Sequence, residues 1–273
     1  MKAIEYGKEN KDCLLFLHGG GLSWWNYKEV AELLSSRFHI VIPILNGHGG
    51  SGIPFTSIEE NAKEIISYID AHFGGQVLLI GGLSLGGQIL LEMLSQRSNI
   101  CSFAMIESAL ALPLKPATAF MKPAYAICYP LIKKRWFAKL QFRALHIKAG
   151  HFEAYYTDSA ALSRQDLLAF SIANSNYRLK DTLAACKAKA LILAGGRESA
   201  IMKKSARIIA GLLPAARLEL MKNYFHGELS LNHPEEYTEK LLQLISPGTP
   251  VEQTGRASSP VEHAAPGFAA HCN

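Results

Sequence analysis

The segment Val77–Gly87 constrains the fold of this chain more than any other. Its first four residues, Val-Leu-Leu-Ile, have the length and composition of a strand buried in a parallel sheet. They lead into Gly82-Leu83-Ser84-Leu85-Gly86, a G-x-S-x-G pentapeptide, and then into a helical pattern of apolar residues. Average composition would produce only roughly 0.1 such pentapeptides by chance in a chain of this length. The sequence therefore predicts a strand, a sharp turn and a helix.

The predicted turn at Ser84 presents a side chain suited to nucleophilic attack. A sharp turn from strand to helix forces its central residue into a sparsely populated backbone conformation, and glycine on both sides removes Cβ atoms that would clash. The hydroxyl then projects from the end of the sheet, beside the amino end of the helix and the N–H of Leu85. We interpret Ser84 as a nucleophile and Leu85 as a donor to a developing oxyanion.

Composition favours one large α/β domain. The chain has 273 residues, of which 49% are hydrophobic and 19% charged, and its net charge is +5. Lysine and arginine are scattered apart from one cluster, which argues against nucleic acid as a partner. No apolar run reaches the ~20 residues of a membrane span, and we expect no signal peptide. Five widely spaced cysteines without a C-x-x-C pair are typical of reduced thiols, so we expect a cytoplasmic location.

Strands and helices alternate along the first 110 residues. Apolar runs predict strands at Ala3–Tyr6, Cys13–Leu17, His39–Leu45, Val77–Ile80 and Cys101–Ile106. This alternation is typical of a parallel sheet with helices on both faces. The same rhythm returns with strands at Ala188–Ala194 and Ala216–Met221 and a last helix at Pro234–Ile245. Residues 1–110 and 184–246 are therefore predicted to form one core.

Two segments lie outside this rhythm. Residues 111–183 are helical in pattern and contain no convincing strand, which predicts a helical lid inserted in the core. Four apolar residues of the lid recur near helical spacing, with basic residues between them, namely Ile132, Trp136, Leu140 and Ile147. We expect a basic amphipathic helix there, with Trp136 in the lid core and on the pocket wall. Residues 247–273 are rich in Pro, Gly, Ser, Thr and Ala without periodicity, and are predicted to be a disordered tail.

A glycine-rich loop follows the predicted strand Cys13–Leu17. It reads His18-Gly19-Gly20-Gly21, and its glycines allow close approach of the backbone, with N–H groups free to face a developing negative charge. In a chain with a G-x-S-x-G turn, such a loop supplies the second oxyanion donor, which we assign to Gly20. We interpret His18 as a brace behind this loop.

A serine nucleophile also needs a base and a group that orients the base. His226 follows the last predicted strand, with Gly227 beside it to allow a tight turn, and we interpret it as the base. Glu198 follows the preceding strand by a few residues and is the predicted acid. Glu107, at the end of an earlier strand, is the alternative acid.

Together these motifs resemble the α/β-hydrolase superfamily, specifically its lid-bearing serine hydrolases, which include esterases, thioesterases and C–C bond hydrolases. The matching residues are His18-Gly19-Gly20, Gly47-His48-Gly49-Gly50-Ser51, Gly82–Gly87, Gly195–Glu198 and His226-Gly227 with Pro234, which together span most of residues 13–245. The resemblance implies an α/β-hydrolase fold: a mostly parallel central sheet, helices on both faces and a helical lid. It also implies catalytic roles for Ser84, His226 and Glu198, with Gly20 and Leu85 forming the oxyanion hole.

Two positions depart from the family pattern. The loop before Gly-His-Gly usually carries an aspartate, whereas this chain has Leu45-Asn46, a difference that concerns loop bracing. The acid is usually aspartate, and Glu198 is one methylene longer; Glu107 stays open because some members place the acid there. We expect no metal or cofactor, since the sequence has no H-x-x-x-H pair, no P-loop lysine and no Rossmann glycine spacing.

The sequence leaves three functions open. The first is hydrolysis of a small-molecule carboxylic ester or thioester with a small to medium apolar acyl group, through an acyl-enzyme. The second applies the same triad to a C–C bond, as a hydrolase or lyase. The third is a non-catalytic ligand receptor, which the presence of all three triad residues disfavours. Specificity is expected to depend on the lid, and the sequence predicts no oligomeric state.

Overall fold

Seven strands form a single central sheet in the computed structural model, which describes residues 1–246 apart from the side chains of 115–120, 122, 124 and 126. The strands are β1 Ala3–Tyr6, β2 Cys13–Leu17, β3 His39–Pro43, β4 Val77–Leu83, β5 Cys101–Glu107, β6 Lys189–Gly195 and β7 Ala216–Met221. Their order across the sheet is β1-β3-β2-β4-β5-β6-β7. Only β1 and β3 pair antiparallel, so the predicted mostly parallel sheet is confirmed.

Helices cover both faces of the sheet. Within residues 1–246 the α-helices are α1 Lys28–Leu34, α2 Ile58–Phe73, α3 Leu85–Gln96, α4 Lys115–Ile132, α5 Arg135–Ala144, α6 Phe152–Ala161, α7 Arg164–Asn176, α8 Ala200–Leu212, α9 Glu228–Asn232 and α10 Pro234–Ile245. Consecutive side chains of β2 point to opposite faces, as the pleat of a strand requires. Leu15 and Leu17 join the apolar cluster that includes α2, α3 and α8, whereas Leu14 and Phe16 join the cluster that includes α1 and α10.

The parallel strands end together at one edge of the sheet. Leu83 at the end of β4 pairs with Glu107 at the end of β5, and Glu107 pairs with Leu193 near the end of β6. Gly195, the last residue of β6, pairs with Met221, the last residue of β7. The loops that follow β4, β5, β6 and β7 therefore start side by side at this edge.

Helices α4–α7 form an insertion between β5 and β6, in the region predicted to be helical. Polar contacts attach the insertion to the core. The indole Nε1 of Trp25 donates to Asp158 on α6 at 2.7 Å, and the backbone N–H of Phe55 donates to Asp166 on α7 at 2.8 Å. Both carboxylates lie on helices of the insertion and both donors lie in the core, so these two hydrogen bonds hold α6 and α7 to the core.

The predicted apolar stripe within the insertion is wrong for two of its four residues: Ile132 and Ile147 are buried, but Trp136 and Leu140 are not. Trp136 and Leu140 are 62% and 60% exposed, whereas Ala138 and Phe142 of the same helix are buried. Phe142 packs against Tyr155 of α6, with ring centroids 5.3 Å apart. The stripe joined residues of different elements: α4 ends at Ile132, and Ile147 follows the end of α5 at Ala144. A period counted across two helix ends does not define a shared face, so the exposed Trp136 is not part of the lid core.

No helix within residues 1–246 combines the length and the apolar composition that crossing a bilayer requires. The predicted disordered tail, residues 247–273, lies outside the described residues.

Candidate active site

Ser84 occupies the turn between β4 and α3 with φ +52° and ψ −110°. A Cβ on Gly82 would lie 2.5 Å from the carbonyl oxygen of Gly86, and a Cβ on Gly86 would overlap the carbonyl of Leu17. Both glycines of the pentapeptide are therefore needed for steric reasons, as predicted. The backbone N–H of Ser84 donates to the carbonyl oxygen of Glu107 at 2.8 Å, which holds the turn against β5.

Ser84, His226 and Glu198 form a continuous chain of hydrogen bonds. The Ser84 Oγ lies 3.1 Å from Nε2 of His226, and Nδ1 of His226 lies 2.9 Å from Oε2 of Glu198. Because the carboxylate accepts at Nδ1, that nitrogen carries the proton and Nε2 faces the serine as an acceptor. The Glu198 side chain is 1% exposed, whereas that of His226 is 45% exposed and in contact with solvent.

The second oxygen of Glu198 is also occupied. Its Oε1 accepts from the Ser108 hydroxyl at 2.7 Å and from the Gly195 N–H at 2.6 Å. Burial by itself would raise the pKa of Glu198, but the hydrogen bonds from His226, Ser108 and Gly195 outweigh it and lower the pKa below its usual value. The carboxylate is therefore ionised at neutral pH and able to stabilise a positive charge on His226.

Two glycines bring Glu198 to His226. A Cβ on Gly195 or on Gly196 would overlap carbonyl groups of the turn 222–225, which leads from β7 to His226. Only glycine allows the two turns to pass this closely. The Gly-Gly pair after β6 thus determines where the acid meets the base.

Glu107 takes a different position from Glu198. Its Oε1 accepts from the backbone N–H groups of Leu229 at 3.1 Å and Ser230 at 3.4 Å, and its Oε2 has no hydrogen-bond partner within residues 1–246. Burial raises the pKa of the Glu107 carboxyl to about 7, and the nearby Glu198 carboxylate acts in the same direction. The side chain therefore anchors the helix that follows His226 and is not hydrogen-bonded to the His226 ring.

This anchor predicts a pH-dependent stability. The Glu107 pKa is about 7 in the folded protein against 4.5 as its ordinary value, so between these pH values the folded state keeps a proton that the unfolded state releases. The contribution of Glu107 to the free energy of unfolding must then fall as pH rises from 4.5 to 7, by at most ~3 kcal/mol. We expect Glu107→Gln, measured by urea unfolding at pH 5 and pH 8, to be relatively more stable at pH 8. Exposed Glu9→Gln is the control, and an equal difference at both pH values would contradict the expectation.

Gly20 and Leu85, the predicted oxyanion donors, lie next to each other. Leu85 is the first residue of α3, so its N–H has no acceptor within the helix. A Cβ on Gly20 would lie 3.5 Å from the Cβ of Leu85 and 3.5 Å from Cδ2 of Phe170 on α7. The structure thus brings both residues to the nucleophile turn and places an aromatic ring of the insertion against them.

His18 is buried behind the glycine-rich loop. Its Nδ1 donates to the Gly19 carbonyl oxygen at 2.9 Å, and its Nε2 accepts from the Leu45 N–H at 3.1 Å. Burial, reinforced by His48, lowers the pKa of His18 to about 3, so the ring is neutral. These contacts fit the predicted bracing role.

Residues 14–239 match the family model described as Alpha/beta hydrolase family. The chain belongs to this family. No curated protein sequence matches it.

Solved structures share the fold of this α/β-hydrolase at low sequence identity. An esterase from Exiguobacterium antarcticum has a TM-score of 0.75 at 17% identity, with 89% of this chain and 94% of that chain covered. A thermophilic esterase from Thermogutta terrifontis has a TM-score of 0.72 at 16% identity, with 89% of this chain and 91% of that chain covered. An enol-lactonase from Burkholderia xenovorans has a TM-score of 0.71 at 15% identity, with 89% of this chain and 95% of that chain covered. The predicted α/β-hydrolase fold is confirmed.

Ser108 is a site residue of this α/β-hydrolase that the sequence reasoning missed. It has φ +53°, and its hydroxyl donates to Glu198 and accepts from the Gly227 N–H at 3.2 Å. Ser108 therefore connects the acid to the turn after His226. In the sequence, the signal for Ser108 is its position directly after Glu107, at the edge where β5 ends.

A cavity of 380 Å³ opens beside His226 in this α/β-hydrolase. It is lined by residues 144–146 at the end of α5, by Arg197, Met202 and Phe225, and by the Glu198–His226 pair with Ser199. Another cavity, of 230 Å³, lies along Gly47–Pro54 and has no triad residue in its lining. Within residues 1–246, no group of three His, Cys, Asp or Glu side chains is arranged to hold a metal ion.

Proposed function

We propose that the chain is a serine hydrolase that cleaves a carboxylic ester, or a thioester, with a small to medium apolar acyl group. The observation that carries this proposal is the hydrogen-bond chain from Ser84 Oγ through His226 to Glu198, with distances of 3.1 and 2.9 Å. Membership of a hydrolase family supports it. The shared fold of two esterases and an enol-lactonase is compatible with it.

In the proposed acylation step, the Ser84 oxygen attacks the carbonyl carbon of the ester while Nε2 of His226 takes the hydroxyl proton. Glu198 stabilises the imidazolium through its bond to Nδ1. The N–H groups of Gly20 and Leu85 donate to the oxyanion, and the amino end of α3 adds a favourable dipole. The imidazolium then protonates the leaving oxygen or sulfur, the bond from carbonyl carbon to leaving group breaks, and an acyl-Ser84 ester remains.

In the proposed deacylation step, water replaces the leaving group. His226 removes a proton from that water, the resulting hydroxide adds to the acyl carbonyl, and the carboxylic acid departs as Ser84 regains its proton. The His226 side chain is 45% exposed, so the water for this step can come from bulk solvent beside the ring.

We also propose that residues 111–183 act as a lid over a core formed by 1–110 and 184–246. Two contacts support this role: Phe170 of the insertion lies against Gly20, and residues 144–146 line the cavity beside His226. Phe170 presents an aromatic ring beside Gly20, and an apolar wall at the oxyanion donors favours an apolar acyl group over a polar one.

Reaction with a fluorophosphonate tests the proposed nucleophile. The reagent phosphonylates serines that are activated by a base, so peptide mass spectrometry should locate the adduct on Ser84. A receptor that has kept only the pocket would not be labelled. Absence of any adduct on the folded protein would contradict the proposed serine hydrolase activity.

A series of 4-nitrophenyl esters from acetyl to octanoyl tests the acyl group. Each methylene that becomes buried contributes up to ~0.8 kcal/mol, or about fourfold in kcat/KM, so butyryl and hexanoyl esters should exceed acetyl. Phe170→Ala should flatten this rise because it removes an apolar wall beside Gly20. The solvent-exposed aromatic variant Trp136→Ala, which should leave the series unchanged, is the control. A steady fall from acetyl to hexanoyl in the wild type would show that the acyl side is not apolar.

A further inference from the structure

One wall of the cavity beside His226 carries a positively charged side chain on an aromatic ring. Arg197 follows the Gly195-Gly196 pair, and its guanidinium carbon lies 5.2 Å from the ring centroid of Phe225. The ring of His146 approaches the same phenyl ring nearly perpendicularly, at 3.7 Å between centroids. Arg197, Phe225 and His146 therefore form one continuous surface, which we call the Arg197 wall, on the side of the cavity next to the base.

The backbone at His146 is fixed in an unfavourable conformation. Its φ is +57°, and its carbonyl oxygen accepts from the Asn232 side chain at 2.6 Å. The other non-glycine residues with positive φ in the described part of the chain are Ser84 and Ser108, both in the active site. His146 comes directly after Leu145, the C-cap of α5, where helices commonly end with a residue in the left-handed conformation. The hydrogen bond from Asn232 holds His146 at the cavity.

The carboxylates near the Arg197 wall already have partners. Glu198 accepts from His226, and Glu228 accepts from the Phe225 N–H at 2.7 Å. Within the described residues Arg197 forms no ion pair, while Leu145 and Met202 give the cavity apolar surface. A guanidinium without a carboxylate partner, oriented by an aromatic ring, is suited to bind a carboxylate or phosphate of a ligand.

The chemistry of the base determines which part of the substrate meets this wall. In the proposed mechanism His226 protonates the leaving oxygen, so the leaving group departs past His226 and into the space that His226 lines. Gly20, Leu85 and Phe170 lie together beside the nucleophile turn, and none of the three is among the residues lining this cavity. We propose that the cavity binds the leaving alcohol of the ester and that Arg197 recognises an anionic group, a carboxylate or a phosphate, on that alcohol. This inference rests on the proposed function.

Two matched esters test the inference. 3-Carboxyphenyl butyrate and 3-carbamoylphenyl butyrate share their acyl group and differ in the charge of the leaving alcohol. We expect kcat/KM of the wild type to favour the carboxylate by about tenfold, as a charge-assisted hydrogen bond gives. Arg197→Gln should bring this ratio to about one, and Arg197→Lys should keep part of it. Arg217→Gln, an exposed arginine at the opposite end of β7, should keep it fully.

Two further esters assign the anion. Comparing kcat/KM for 3-phosphonophenyl butyrate and 3-carboxyphenyl butyrate shows which anion is preferred. A preference for either anion supports the inference if Arg197→Gln abolishes that preference. Mono-(4-nitrophenyl) succinate carries its carboxylate on the acyl side and should show no dependence on Arg197. A ratio near one in the wild type, a ratio unchanged by Arg197→Gln, or an Arg197 dependence confined to the succinate ester would overturn the inference and leave the proposed function standing.

Binding without turnover separates the two proposals. Calorimetric titration of the wild-type protein with 3-hydroxybenzoate and 3-hydroxybenzamide measures recognition of the leaving alcohol alone. Tighter binding of the benzoate that is lost in Arg197→Gln supports anion recognition by the Arg197 wall. If the same protein hydrolyses no ester, only the proposed function is contradicted. Equal binding of the two alcohols overturns the inference.

Discussion

Ser84→Ala is expected to lower kcat for ester hydrolysis by ~10⁴–10⁶ without changing the fold. The hydroxyl is the only group of the proposed triad that forms a bond to the substrate, and no other oxygen nucleophile lies on Nε2 of His226 among the described residues. Alanine keeps the backbone of the turn, since it has the same Cβ as serine at this positive φ. Activity is measured with 4-nitrophenyl butyrate.

The control for this variant is Ser98→Ala, which changes a serine in the turn after α3 and should retain full activity. Circular dichroism and the melting temperature establish that both variants are folded. Turnover close to that of the wild type in folded Ser84→Ala would contradict the proposed mechanism at its first step.

Glu198→Gln is expected to reduce kcat by ~10⁴, by analogy with the same kind of change in serine proteases. The geometry gives the reason. The Oε1 position accepts from both Ser108 and Gly195, so the amide oxygen of glutamine must occupy it. The NH₂ group then faces Nδ1 of His226, which places the ring proton on Nε2. In that tautomer His226 cannot accept the proton of Ser84.

Glu107→Gln is the matched comparison and should change kcat by less than about tenfold. Its amide oxygen can still accept from the N–H groups of Leu229 and Ser230, so the helix after His226 stays anchored. Both variants are measured at the same pH, on the plateau of wild-type activity. An inactive Glu107→Gln beside an active Glu198→Gln would assign the acid to the end of β5.

Strands and helices with continuous apolar patterns were predictable to within a few residues. The predicted bounds of β7, Ala216–Met221, and of the last helix, Pro234–Ile245, agree with the structure. In both cases polar residues, glycine or proline flank the apolar pattern, so the sequence indicates where the strand and the helix begin and end. The helical character of the insertion was predictable for the same reason, but the positions of its helix ends were not. Without those ends, the sequence could not show which apolar residues share a helix face.

The site was predictable in its residues but not in its side-chain directions. Glu198 follows β6 and Glu107 ends β5 at the same edge of the sheet, and the sequence favours Glu198 because a Gly-Gly turn precedes it. The distance from Glu198 to His226 depends on the close passage of two turns at Gly195, a tertiary contact that a single sequence does not encode locally. Ser108 was missed because its role comes from that same packing.

Glu107 joins the two halves of the site through different parts of one residue. Its carbonyl oxygen accepts from the N–H of Ser84, and its carboxyl accepts from the N–H groups of Leu229 and Ser230, close after His226. The nucleophile and the base are 142 positions apart in the chain, yet both are tied to the last residue of β5. A displacement of that strand end would act on both loops through these hydrogen bonds. We therefore expect the distance between the Ser84 hydroxyl and the His226 ring to change less than the position of either loop.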